Sequence, residues 1–154
     1  MNLLKSSNIL IYILIISFTL VIPNGVFAQN LQRDAVQTAD SLYEALKAGN
    51  TREVEAILDP QVLVFESGFV EASFEEYASE HLGADIEYMK TVEREILSRN
   101  VYAQGDITVI ATRARFNSTY NDKTTVTMSN ETLVLKRKQQ GWLITHIHWS
   151  SKKK

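Results

Sequence analysis

Gly141-Trp142-Leu143-Ile144-Thr145-His146-Ile147-His148-Trp149-Ser150 is the stretch that decides the fold of this 154-residue chain. It is rich in β-branched and aromatic residues, alternates over its whole length and lacks helical spacing, so it predicts a strand. Strict alternation sorts its side chains into two sets. Trp142, Ile144, His146, His148 and Ser150 share one face; Leu143, Thr145, Ile147 and Trp149 share the other. Both sets are too apolar to meet water, so the strand is expected to be covered on both sides. The first set carries two of the chain's three histidines. An apolar wall with a few polar groups aimed from it is the usual lining of a small-molecule pocket.

Upstream of this strand lie three more β-rich segments, Tyr88–Ala103, Ile107–Tyr120 and Thr124–Arg137. The short separators Gln104-Gly105-Asp106, Asn121-Asp122-Lys123 and Gln139-Gln140-Gly141 predict adjacent antiparallel pairs, and strands of this length twist into a curved sheet. The helices come first. Leu31, Ala35, Ala39, Leu42 and Leu46 recur at helical spacing up to Ala48, with Gly49 as a C′ residue. Asn50 opens a second helix that buries Val54, Ile57 and Leu58 and ends at Asp59-Pro60. A short strand pair follows, Val62–Phe65 and Phe69–Val70, about a turn at Glu66-Ser67-Gly68. Ser73 and Glu76 then form a capping box. The helix it opens carries the stripe Phe74, Tyr77, Ala78, His81 and Leu82, and is expected to stop at Gly83, with His81 facing inward. Helices first and a meander afterwards is an α+β layout with the helices on one face of the sheet.

The N-terminus reads as a separate segment. Lys5, the apolar run Ile9–Ile22, the break at Pro23 and Gly25, and the small residues of Val26-Phe27-Ala28 make a secretory signal peptide, residues 1–28, cleaved after Ala28. The run is shorter than the ~20 residues of a spanning helix, so no stable membrane insertion is expected after cleavage. Residues 29–151 are the domain and 152–154 a solvated basic tail. The chain has no cysteine and a formal charge of −2. Export to the periplasm or medium needs no disulfide in a chain this long, and a near-neutral balance excludes the basic stripe that nucleic acid requires.

In order and motif the chain resembles the cone-shaped fold of nuclear transport factor 2 and its relatives. The ending Gly141-Trp142-Leu143-Ile144-Thr145-His146-Ile147-His148-Trp149-Ser150 resembles the Gly-Trp-x-Ile-x-His-x-His-x-Ser ending of the SnoaL-like and DUF4440 subfamilies. Glu131-Thr132-Leu133-Val134-Leu135 and Phe65-Glu66-Ser67-Gly68 also fit. The resemblance implies a curved antiparallel sheet wrapped over the N-terminal helices, a pocket in the cone, and a homodimer through the outer sheet face. The fold hosts isomerases, dehydratases and pure binding modules alike, so it does not fix the chemistry. Enzymes of this kind such as ketosteroid isomerase use a carboxylate base with a tyrosine and a protonated carboxylic acid. Glu66 is the candidate acid at the mouth, and Tyr77, Tyr102 and Tyr120 are candidate donors.

These readings give a pocket lined by His81, His146, His148, Glu66, Tyr77 and Trp142, holding a small apolar or amphipathic molecule without any cofactor. Two alternatives stand beside it. One is a lyase or isomerase using a histidine or Glu66 for proton transfer. The other is a periplasmic zinc or copper site: His146 and His148 would lie about 7 Å apart along the strand, with His81, Glu66 or Asp85 completing the set. Each histidine also has a plain structural reading as a group hydrogen-bonded within the core. Arg113 and Arg115 alternate away from Ile110, Ala114 and Phe116 and are expected on an outer stripe opposite Glu131 or Glu95. Tyr77, Tyr88, Trp142 and Trp149 are expected as core aromatics.

Overall fold

The computed structural model describes residues 24–120 and 123–154. The expected signal segment therefore falls largely outside the described residues. The order of elements is α1 (Asn24–Ala48), α2 (Thr51–Ile57), β1 (Leu58–Glu66), β2 (Phe69–Glu71), α3 (Phe74–Glu80), α4 (Leu82–Lys90), β3 (Val92–Gln104), β4 (Ile107–Tyr120), β5 (Lys123–Lys138) and β6 (Gly141–Lys153). It is the expected α+β layout, with the N-terminal helices on the concave face of one curved, open sheet.

The helix boundaries follow from local chemistry. Gly49, at φ 68°, closes α1 with a Schellman pair: its amide donates to the Leu46 carbonyl at 3.1 Å and the Asn50 amide to Ala45 at 2.9 Å. The Asn50 side chain caps α2 by accepting from the Glu53 amide at 3.2 Å. Ser73 caps α3 through the Glu76 amide at 3.1 Å, but Glu76 reaches past Ser73 to the Ala72 amide at 2.7 Å. The helical region does not stop at Gly83. It bends at His81 and continues as α4 to Lys90, because Leu82, Ile86 and Met89 form a buried stripe. The first long strand accordingly starts at Val92 rather than Tyr88.

The six strands run in the order β2-β1-β6-β5-β4-β3. All neighbours are antiparallel except β1 and β6, which pair in parallel and join the first strand to the last. The long strands β3 to β6 form the expected antiparallel meander, and the parallel pair adds the β1–β2 hairpin to its edge. The β1–β2 hairpin turns on Ser67-Gly68, both at positive φ (51° and 90°), the pattern of a type I′ turn. Lys152 and Lys153, expected in a free tail, extend β6 and pair with Met128 and Thr127.

A bulge at Thr145 reverses the reading of β6. Val134 pairs with His146 and Leu135 with Ile144, so Thr145 is the extra residue. The core face is therefore Trp142 and Ile144 before the bulge, and Ile147 and Trp149 after it. His146 and His148 turn to the outer face, and the single set drawn from strict alternation is split between the two. The core lies between this inner face and α1. Ala35, Ala39, Leu42 and Leu46 pack on Ile110, Leu133, Leu135, Ile144 and Ile147, and all of these are 1 % exposed or less.

Candidate functional site

Beyond the solid core, toward the C-terminal end of β6, the helices and the sheet separate and leave a cavity of about 340 Å³. Tyr43 and Leu46 of α1, Glu66 of β1, and Ala84, Asp85, Tyr88 and Met89 of α4 line one side. Phe116, Thr127, Ser129, Trp149, Ser151 and Lys153 of the sheet line the other. Register explains the sheet side. Phe116, Thr127 and Lys153 lie opposite one another across β4, β5 and β6, as do Ala114, Ser129 and Ser151, and then Thr112, Glu131, Trp149 and Glu66. The bulge at Thr145 is what places Trp149, Ser151 and Lys153 in these rows.

The acidic end is built by β1, β2 and the α3–α4 bend. Glu66 is drawn in by register beside Trp149, and burial pushes its carboxyl up to about 7. The charges of Asp85 and Glu71 add to that rise and His81 opposes it. Asp85 is raised as well, first by burial, while a hydrogen bond from the Tyr77 hydroxyl to Oδ2 at 2.7 Å pulls the other way. Tyr77 is fully buried, so its phenol is raised by burial and by the Asp85 charge. Behind this pair, His81 Nδ1 contacts the buried carboxylate of Glu71, and Phe69 leans on the imidazole at 5.1 Å between ring centroids.

The floor is a second polar group. Glu131 is buried and accepts at Oε2 from the Tyr43 hydroxyl and from Trp149 Nε1, the latter at 2.8 Å. Trp149 Nε1 also lies 3.1 Å from the Tyr43 oxygen. Arg94 faces the other Glu131 oxygen at 3.6 Å and stacks its guanidinium on the Tyr43 ring, 3.5 Å from the centroid. Burial, then the Glu131 charge, raises the Tyr43 phenol. Glu131 is thus an inner-face residue, not a partner of the outer arginines; Arg115 pairs instead with Glu95 at 2.9 Å.

The six residues expected in the pocket do not converge. Glu66 lines the cavity, and Tyr77 and His81 act on it from behind through Asp85 and Glu71. Trp142 belongs to a shallow groove between α1 and α2. His146 bonds its Nδ1 to the Leu63 carbonyl at 2.8 Å, and both His146 and His148 meet the edge of Phe65 on the outer face. The three histidines therefore share no centre, and among the described residues no group of three or more His, Asp or Glu side chains is placed to hold a metal ion. Of the candidate donors, Tyr102 is exposed, and the side chain of Tyr120 lies outside the described residues. Trp149 is a core aromatic as expected and also borders the cavity, whereas Tyr88, partly exposed, is a cavity wall rather than core. Tyr43, Asp85 and Ser129 complete a site that alternation on β6 alone had centred elsewhere.

The sequence profile of the SnoaL-like domain matches residues 36–152. A protein from Shewanella frigidimarina, solved as a candidate ketosteroid isomerase, is 34% identical; the match covers 76% of this chain and 94% of that one, with a TM-score of 0.71. An NTF2-like superfamily protein from Salmonella enterica matches at TM-score 0.68 and 16% identity, over 82% and 94% of the two chains. The CaMKII hub of S. rosetta matches at 0.67 and 18%, over 79% and 96%. These last two likenesses are of fold. No curated protein matches the chain.

Proposed function

The chain belongs to the SnoaL-like domain family, and from that premise we propose that its cavity holds a small, largely apolar molecule. The observation that carries this reading is the cavity itself: aromatic and aliphatic walls with carboxyl groups confined to one end. The test is binding of two neutral probes, cyclohexanone and 3,3-dimethylbutan-1-ol, measured by calorimetry on the wild type and on Ser129→Phe, which fills the cavity from β5. Binding by the wild type and its loss in the filled variant are expected. Equal binding by both proteins, or by neither, sinks the reading.

A second reading, proton transfer next to a carbonyl, is favoured by one observation: Glu66 titrates at about 7, where a carboxyl group serves as a base. The description of the Shewanella relative points the same way. Exchange of the α-hydrogens of cyclohexanone in D₂O, followed by NMR, decides it. Exchange that rises through pH 7 and vanishes in Glu66→Gln supports the reading; a rate equal to buffer ends it.

We also propose export and self-association. Residues 1–28 carry the leader pattern, and cell fractionation with N-terminal sequencing tests it: a chain still beginning at Met1 in the cytoplasm refutes export. The outer sheet face presents Tyr102 and Ile107 at 65% and 48% exposure beside Val109, Ala111 and Val134. A homodimer across this face is expected to become monomeric in Val134→Glu; a wild type that sediments as a monomer excludes it.

A further inference from the structure

The polar groups at the acidic end are unevenly matched. The nearby donors are already engaged: Tyr77 gives its hydrogen to Asp85, and Tyr43 and Trp149 give theirs to Glu131. What the cavity meets there is the Glu66 and Asp85 carboxyl groups, acceptors once ionised. The charge balance has the same sign. Glu66 is faced by Asp85 from α4, Glu71 from β2 and His81 from the α3–α4 bend, two carboxyl groups against one imidazole. Arg94 is neutralised by Glu131. Lys153 is four residues along β6 from Trp149, about 13 Å by strand rise, at the far end.

The walls around the acids are aromatic. Tyr43, Tyr88, Phe116 and Trp149 all border the cavity, and Tyr88 and Phe116 stand 6.0 Å apart at 48°. Aromatic faces carry negative charge density and attract cations, more so where water is excluded. Once Glu66 is ionised, a ligand oxyanion or carboxylate faces like charge at this end, while the Thr127, Ser129 and Ser151 hydroxyls stand on the sheet side. A neutral head gives the ionised carboxyl groups no counter-charge, so it is held more weakly than a cation of the same shape.

We propose that the cavity takes an organic cation, a tertiary or quaternary ammonium, with its head at Glu66 and Asp85 and its alkyl groups against Tyr43, Tyr88, Phe116 and Trp149. This rests on the small-molecule reading above and adds the charge of the ligand to it. The head needs no hydrogen-bond donor from the protein, which agrees with the engagement of the Tyr43, Tyr77 and Trp149 donors elsewhere. Ionised Glu66 is the form that binds, so affinity rises with pH as Glu66, under the influence of Asp85, Glu71 and His81, loses its proton.

The test compares three probes of one shape on the full chain by calorimetry at pH 8: choline, its uncharged isostere 3,3-dimethylbutan-1-ol, and the anion 3,3-dimethylbutanoate. Choline is expected to bind at least about tenfold tighter than the alcohol, and the anion not at all. In Glu66→Gln the preference for choline over the alcohol shrinks to within about threefold, and in wild type it shrinks as the pH is lowered from 8 to 5. Equal affinity for choline and the alcohol, or tightest binding of the anion, overturns the proposal. If the alcohol's binding is still lost in Ser129→Phe, such a result leaves the small-molecule reading intact. If none of the three binds, both readings fall.

Discussion

The Nδ1 of His146 lies 2.8 Å from the carbonyl oxygen of Leu63, so one imidazole laces the last strand to the first on the side of the sheet away from the cavity. His146→Ala is therefore expected to cost about 1–2 kcal/mol, for a half-buried hydrogen bond and the edge contact with Phe65. His148, exposed beside Phe65, is expected to cost no more than about 0.5 kcal/mol on truncation. Urea denaturation measures both. Cavity binding should survive either change; loss of binding in His148→Ala would restore that residue to the site.

Glu66 sets a pH dependence. Its carboxyl is raised from 4.5 to about 7 in the folded chain, so the folded state holds a proton that the unfolded state has released across that window. Stability then falls as pH rises from about 4.5 through 7. With a discount for the solvent that reaches the group, about 2 kcal/mol is at stake. In Glu66→Gln that component vanishes, so the variant should be the more stable of the two at pH 8. Urea midpoints for both proteins from pH 4 to 8 check the difference; parallel curves would show that Glu66 does not titrate as described.

Glu131 holds three partners at once. Glu131→Leu takes the acceptor from Tyr43 and Trp149 and leaves the Arg94 guanidinium buried without its counter-charge, so a loss of about 3–5 kcal/mol is expected. Adding Arg94→Met should recover a large part of it, because the uncompensated charge is then gone. A double variant no more stable than the single would place the cost elsewhere.

Tyr77→Phe removes the donor to Asp85 Oδ2 from a fully buried ring. A loss of about 1–2 kcal/mol is expected, and the Asp85 carboxyl should titrate still higher, since the hydrogen bond opposes the effect of burial. Carbon-detected NMR titration of the aspartate side chains reads the shift directly. A fall in the Asp85 value would mean that the bond favours the protonated acid.

Much of this architecture was legible in the residues. Gly49, Asn50 and Ser73 mark their helix ends by cap chemistry that acts locally, and each cap formed. The four long strands were readable from turn residues and alternation. The site was less so, for three physical reasons. A bulge is a property of strand pairing, and nothing within Ile144-Thr145-His146 announces it; the histidines changed sides because of the partner strand. The helix over Leu82–Lys90 was hidden by Gly83, although Leu82, Ile86 and Met89 carry the spacing, and with it went Asp85 and Tyr88 as wall residues. Glu131 had a signal that alternation alone could have exposed: it shares the inward set with Leu133 and Leu135, and a charge in such a set must meet partners from another element.

Because β6 is the last strand in chain order yet sits between β1 and β5, the β1–β2 hairpin has no strand to pair with during synthesis until residues 141–153 have left the ribosome. Contacts of such long sequence separation slow folding, so the hairpin stays unpaired almost to the end of synthesis. Truncation before Ile144, which removes every β6 partner of β1, should release β1 and β2 together rather than fray a terminus, and limited proteolysis of such a fragment would cut first in that hairpin.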